Sequence, residues 1–521
     1  MTRKTLAAAA TALLLVPSAS RAAEDHWILY QDARDGVAKM SDGDWTFKVL
    51  ANVWSGSVEV QTCLSAPEET SALDFSKSLS DADGSDAEKA ALGMRKEPFI
   101  SSVNTLFSNP WGETSSVGRE KVGSVLLPDT GLLEQIRTGA FYNCVNLESV
   151  APFLPDSVTT VQSFAFGNTA VTNALRLAGI GDSMGDATYF AFSPAPIPSV
   201  EFGDDVTTIG DLRANQTWAG HFENCDRLTN VVFGAGLRNV GNKTFKGCTA
   251  LESVSLGAIE RINDGAFQGC TAIRSLALGG ALAHVGDSAF QGCSALSLVE
   301  PLLPASVTNV GASAFLGTGV AGALALEGAV SVGKAAFKGT GITSATLGRN
   351  VKTLGGGWES GAFCGCASLT TVAFHRKASG VELGECQFYG CAALAGELDL
   401  SCAASIGRWM FTGTQITNLV FGAGMDAVGE RAFASAPATL RDVWWRGPAP
   451  ANLGSAIFYF PGARITHHVN RAHAASWTAL ADEGTLVNGA IQAGTTTWTS
   501  TSTTYLALYT PVDETTVVVF R

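Results

Sequence analysis

A phenylalanine returns along this chain at Phe141, Phe166, Phe192, Phe222, Phe245, Phe267, Phe290, Phe315, Phe337, Phe363, Phe388, Phe411 and Phe433. The thirteen copies cross 292 residues at a mean spacing of about 24, and single steps run from 22 to 26 apart from one of 30 before Phe222. A frame surrounds each copy. From Leu251 the chain reads LESVSLGAIERINDGAFQGC, from Ile273 IRSLALGGALAHVGDSAFQGC, and from Ile342 ITSATLGRNVKTLGGGWESGAFCGC. An apolar-x-x-apolar-x-apolar segment is followed by a turn, by Val/Ile-x-x-Val/Ile-Gly, and by Ala-Phe-x-Gly-Cys. Self-similarity at this period means one supersecondary unit per repeat, which can bury its apolar face only against its neighbours.

The apolar-x-x-apolar-x-apolar segment predicts a short strand with apolar side chains inward and the x positions outward. Stacked turns would pair such strands in parallel at about 4.8 Å each, so thirteen coils make a rod of roughly 60 Å. The Phe is expected inside every coil. The Gly ahead of Ala-Phe (Gly286, Gly311, Gly333, Gly429) is expected to permit a tight corner.

These Gly-x-x-Ala-Phe-x-Gly-Cys elements resemble the BspA-like, or treponemal-type, leucine-rich repeats of bacterial surface proteins, over about Gly123 to Leu440. The resemblance implies a curved right-handed solenoid and, for some members, adhesion to host proteins; it supplies no catalytic residues. This chain has more Ala and Gly than that pattern and an irregular stretch from Gly179 to Trp218. The expected fold is therefore a leucine-rich-repeat solenoid, a parallel β-sheet rod of about 13 coils between a β-rich N-terminal cap and a C-terminal cap. Residues 23–122, with period-two segments at Trp45–Leu50 and Ser57–Thr62, read as the N-terminal cap. The repeats then occupy 123–440. A degenerate coil and C-terminal cap at 441–483 include Trp444, Trp445 and a short helix over His473–Glu483, and a Thr/Ser-rich β tail spans 484–521.

Arg3 and Lys4, the eleven-residue apolar run Leu6–Val16 and the small residues Ser20 and Ala22 read as a signal peptide over 1–22. A helix of that length rises only about 16 Å, half a bilayer. Cleavage after Ala22 removes Arg3, Lys4 and Arg21 and takes the formal charge from −13 to −16. The product is expected to carry no transmembrane segment and to be extracellular or at the cell surface, with the periplasm as an alternative. Acidity without any basic block excludes a phosphate-neutralising nucleic-acid surface.

Seven of eleven cysteines (Cys144, Cys225, Cys248, Cys270, Cys293, Cys366, Cys391) share one repeat position, where other coils carry Thr169, Thr318, Thr340 or Thr414. A slot that accepts Thr is a small-residue packing slot, and disulfides need Cβ atoms about 3.8 Å apart, closer than neighbouring coils. Buried free thiols are the expectation; Cys364 and Cys386 lie off the ladder and could bridge. Gly181-Asp182-Ser183-Met184-Gly185 matches a hydrolase elbow, yet Gly286-Asp287-Ser288 is the same corner before Phe290, so a serine hydrolase at Ser183 is the remote alternative. His467, His468 and His473 lack the i, i+4 spacing of a helical metal pair, and Asp81–Asp86 lacks the twelfth-position glutamate of an EF-hand, where Leu92 stands. No catalytic, metal or cofactor site is assigned.

Binding is expected on the outward face. The x positions of the strands, among them Glu252, Arg274, Asn230 and Asn418, are small and hydroxyl-rich, which makes the concave sheet a plain platform; a Ser/Thr ladder that keeps it soluble is the alternative. Recognition surfaces favour Trp, Tyr and Arg, so Trp218, Trp358, Tyr389 and Trp409 outside the ladder are the further candidate contacts. The functional expectation is a non-enzymatic, adhesin-like module for a protein or glycan, and the alternative is a structural envelope or matrix component.

Overall fold

The computed structural model describes residues 27–32, 37–52, 55, 57–81, 89–90, 98–104, 106, 118–177, 190–210, 220–297, 303–432, 439–454, 464–473, 476, 486–487, 490–491, 503–509 and 518–520. The expected signal peptide, Ser183, Trp218, Phe433, residues 82–86 of the acidic stretch and nearly all of the expected helix over His473–Glu483 lie outside these residues. The chain divides into two compact units, Met1–Val158 and Thr159–Arg521.

In the first unit, Trp27–Asp32, Ala38–Ser41, Thr46–Ala51 and Ser57–Ser65 form an antiparallel meander. Alternation in Thr46–Ala51 sends Phe47 and Val49 inward and Lys48 and Leu50 outward. Trp27, Phe47 and Phe75 meet at ring-centroid distances of 5.8–6.0 Å, with Trp45 stacked on Phe47 at 6.1 Å. Both buried indoles find acceptors: Trp27 Nε1 donates to Asp74 O (2.7 Å) and Trp45 Nε1 to Ala72 O (3.3 Å). Direction then changes from antiparallel to parallel. Phe99–Val103 pairs in parallel with Ser57–Ser65, and Gln135–Ile136 with Phe99–Val103. Beside them Ser71–Asp74, Val122–Leu126 and Ser149–Ala151 form a parallel sheet. Both strands of the first repeat thus continue sheets begun by the N-terminal residues, so its edge is already paired.

The second unit is a parallel β-solenoid. The apolar-x-x-apolar-x-apolar segments form its long strands, such as Ser253–Leu256 against Ser275–Leu278, in register Val254↔Leu276. Strands of two to four residues at Val/Ile-x-x-Val/Ile form a second parallel sheet of eleven, from Thr208–Ile209 to Asn452–Leu453. Among the described residues the third side contains no strand and is still bonded from coil to coil. Phe245, Phe267, Phe290 and Phe315 each donate their N–H to the carbonyl of the alanine preceding the next Phe, at 2.8–2.9 Å.

The phenylalanines are inside. From Phe166 to Phe411 consecutive rings stack at centroid distances of 5.2–6.4 Å and interplanar angles of 1–17°, and each is at most 1 % exposed. The stack runs unbroken through Phe192 and Phe222. The irregular stretch at 179–218 therefore leaves the described core of those coils regular.

The glycine expectation needs correcting. Gly286, Gly311 and Gly333, four residues before Phe, are not left-handed; a Cβ there would lie 2.3–2.6 Å from backbone atoms of the preceding coil. They are small because coils touch, not because the chain turns. The left-handed positions lie two residues either side of Phe. The site after it holds Gly247, Gly269, Gly292, Gly317 and Gly339 at φ 71–76°, and Asn143, Asn168 and Asn224 at φ 56–61°. The site before it is left-handed in Lys243, Ser288, Ser313, Ala335, Cys386, Trp409 and Arg431 at φ 47–56°.

Further on, Ala395–Leu400, Gln415–Phe421, Asp442–Trp445, Arg464–Asn470 and Thr503–Tyr509 pair in parallel as a further sheet of long strands, and Val518–Phe520 closes it antiparallel to Thr503–Tyr509. Trp445 is buried and stacks on Phe421 at 4.6 Å, which makes it packing rather than contact surface.

Candidate functional site

Column positions set what each coil displays. Three residues before Phe, Asn242, Asp264 and Asp287 accept from the backbone N–H of Asp264, Asp287 and Ala312 on the following coil, at 2.7–3.1 Å. The same column later alternates in sign. Arg408 stands between Glu385 (3.7 Å) and Glu430 (3.2 Å), and Arg431 reaches Glu430 (3.7 Å). These groups are about a third to a half exposed, so the pairs add little stability. They place alternating charge beside Trp409.

Trp409 occupies the left-handed site before Phe411, at φ 47°, and is half-buried. Trp358, in the longer loop before Phe363, meets it edge to face at 4.5 Å and 79° and is 61 % exposed. The structure therefore brings two of the expected contact residues together. Tyr389, directly after Phe388, is half-buried. The sequence reading missed the Glu385–Arg408–Glu430 row, although the constant offset from Phe was available to find it.

The other candidates lie on the long-strand face. Glu252 and Arg274 immediately precede successive strands, are exposed, and are joined by the Arg274 N–H to Glu252 O bond (2.8 Å). Asn230 is exposed opposite Ser199, and Asn418 sits between Glu397 and Asp442 in register. Several hydroxyls of this face are already engaged: Thr229 Oγ1 donates to Pro198 O (3.1 Å) and Thr370 Oγ1 to Thr343 O (2.9 Å). Of the three histidines, His468 stacks flat on Trp444 at 3.7 Å and its Nε2 lies 2.8 Å from Asp442 Oδ1, and His467 pairs in backbone register with Val443.

All eleven cysteines are buried free thiols, Cys364 and Cys386 included. In the repeat slot, Cys248, Cys270, Cys293, Cys366 and Cys391 donate S–H to the Phe carbonyl of the preceding coil at 3.0–3.1 Å. Thr318, Thr340 and Thr414 instead donate to the Phe carbonyl of their own coil at 2.7 Å. Either residue satisfies a buried Phe carbonyl, which explains why the two interchange. Burial pushes the thiols of Cys225 and Cys293 up to about 12, so they are not nucleophiles at neutral pH. Among the described residues no group of three or more His, Cys, Asp or Glu could hold a metal ion, and no helix is long and apolar enough to cross a membrane.

A parallel solenoid with coils of about 24 residues and a stacked Phe core is the architecture of a leucine-rich-repeat protein. The chain belongs to the family of the BspA-type leucine-rich repeat region, which matches residues 121–219, 215–324 and 330–443. It is similar in fold to a leucine-rich repeat protein from Bacteroides ovatus, with 21 % identity, 76 % of this chain and 92 % of the other covered, and a TM-score of 0.53. A leucine rich cell surface protein from Faecalibacterium prausnitzii is 16 % identical over 79 % of this chain and 95 % of its own, with a TM-score of 0.36. The T. pallidum leucine-rich repeat protein is 19 % identical over 48 % and 87 %, with a TM-score of 0.29. No curated protein matches the chain.

Proposed function

We propose that this chain is an exported, non-enzymatic binding module that engages a protein or glycan at the cell surface in the manner of an adhesin. Trp358, Trp409 and the adjoining Arg408 are its main contact residues, and Tyr389 is a further candidate. The observation that carries this reading is the exposed Trp358 ring, held edge to face on the half-buried Trp409. Trp and Arg are enriched among the residues that dominate protein contacts. The long-strand face, with Asn230, Glu252, Arg274 and Asn418, is a secondary surface. Family membership and the signal-like N-terminus support export.

The experiment is capture of the full chain on arrays of matrix proteins and glycans, with Trp358→Ala and Arg408→Ala beside it. Binding that falls at least about tenfold in Trp358→Ala supports the reading. Silence of the intact protein across both arrays favours the second one, a structural envelope or matrix component. That alternative draws on the Thr229 and Thr370 hydroxyls, which are engaged by neighbouring coils rather than left for a ligand.

A further inference from the structure

The first compact unit holds a cleft of about 520 Å³ on the outward face of its sheet, remote in sequence from every residue discussed as a contact. Its floor is a row across four strands: Leu50, Glu59, Ser102 and Gln135 are successive register partners. Phe99, opposite Ser57, supplies a half-buried ring at one end, and Leu50 is 56 % exposed. The register slips where Phe99–Val103 passes Ser57–Ser65, so that Ser101 is extra and its hydroxyl turns to Val58 O (3.3 Å). A bulge of this kind bends the strand and re-aims its side chains, and here it makes the sheet face hollow.

The polar groups in the cleft are held in place. Glu59 Oε2 lies 2.9 Å from Arg137 Nη1, and its Oε1 accepts from Gln61 Nε2 and Asn104 Nδ2 at 3.2 Å. Arg137 Nε donates to Gln135 Oε1 at 2.9 Å, which orients the Gln135 amide so that Nε2 is its remaining donor. The Arg137 charge is consumed by Glu59, and Glu134 adds a further carboxylate to the lining, so nothing here favours an anion.

We infer that this cleft binds a neutral oligosaccharide. Planar amide, guanidinium and carboxylate groups at fixed angles match the paired donors and acceptors of vicinal hydroxyls, while Phe99 and Leu50 offer an apolar patch to the C–H face of a sugar ring. Ligand sites combine these two elements, an apolar wall and a few placed polar groups. An extended peptide would need an open strand edge or deep apolar anchor pockets; the cleft crosses paired strands and is mostly polar. The inference goes beyond the proposed contact surface and stands without it.

The test is saturation-transfer NMR and thermophoresis on the full chain with maltotriose, chitotriose and mannotriose as probes. 3′-Sialyllactose and a pool of tryptic peptides serve as acidic and peptide arms. At least one neutral trisaccharide should bind with a Kd at or below about 1 mM. Phe99→Ala and, independently, Gln135→Ala should each weaken it at least tenfold with unchanged circular dichroism, and Trp358→Ala should leave it unaltered. The inference is overturned by no binding of any neutral probe, by preference for sialyllactose or the peptides, or by binding that survives both cleft variants. Loss in Trp358→Ala alone would place the sugar on the solenoid surface and overturn it equally.

Discussion

Two kinds of glycine, indistinguishable in composition, should respond to alanine in different ways. At Gly311 an added Cβ would lie 2.3 Å from the Gly286 carbonyl carbon and 2.4 Å from Asp287 N, so neighbouring coils must part by about 1 Å to restore ordinary contact. Two bonds hold them at that level, Gly311 N–H to Val285 O and Ala312 N–H to Asp287 Oδ1, both 2.7 Å. Weakening both costs about 1 kcal/mol each, and backbone overpacking adds about 1–3 kcal/mol. Gly311→Ala is therefore expected to destabilise by about 3–5 kcal/mol.

At Gly292 (φ 76°) the nearest atom to a Cβ is 3.8 Å away, and the penalty is only the left-handed backbone, about 1–2 kcal/mol, less about 0.4–1 kcal/mol for the stiffer unfolded chain. Gly292→Ala should thus cost about 1 kcal/mol. Gly292→Asn should cost under about 0.5 kcal/mol, because Asn143, Asn168 and Asn224 already occupy this place in other coils. The assay is urea denaturation of the full chain, with hydrogen exchange at the amides of Gly311 and Ala312 to locate the effect. Equal losses in the two alanine variants, or a Gly292→Asn loss as large as that of Gly311→Ala, would refute the assignment of one class to coil contact and the other to backbone conformation.

Phe290→Ala removes a ring stacked at 5.4 Å on both Phe267 and Phe315 and should cost about 3–5 kcal/mol; an unchanged melting temperature would contradict the inward stack. For Cys63, Cys225, Cys293 and Cys402 burial raises the folded-state thiol from 9.0 to about 12. The unfolded chain therefore ionises first, and stability present below pH 9.0 should be lost as pH rises towards 12; a native protein that reacts with iodoacetamide as fast as the unfolded one would oppose this. His284 is lowered from 6.5, first by burial and then by Arg261, with Asp264 and Asp287 opposing. Its Nδ1 accepts from Asn309 Nδ2 (3.1 Å), whose Oδ1 is taken by the Ser331 hydroxyl. Because the folded value is the lower one, its contribution is complete above pH 6.5 and falls away as acid protonates the unfolded chain first. His284→Gln should flatten the stability–pH curve below 6.5, and an unaltered slope would rule out that role.

The solenoid was readable from one dimension because its determinants are periodic. Phe267 and Phe290 recur at a fixed offset from their strands, and parallel stacking turns that offset into a spatial column. The same logic made the Cys/Thr slot legible as a packing slot before its S–H donors were placed. The family match over 121–443 agrees with that reading.

Other features required the folded chain. Whether Gly311 is small to turn or to touch depends on Gly286, 25 residues away in sequence and in van der Waals contact only once coils stack. Trp358 and Trp409 are 51 residues apart, and nothing in either segment says that their rings meet; that follows from an insertion in one coil and a left-handed residue in a later one. The N-terminal cleft is less legible still, because Glu59, Ser102 and Gln135 share no period, and a single bulged residue sets their register. Repetition let local sequence specify the stacked coils, whereas the Trp358–Trp409 contact and the N-terminal cleft depend on residues brought together by long-range pairing.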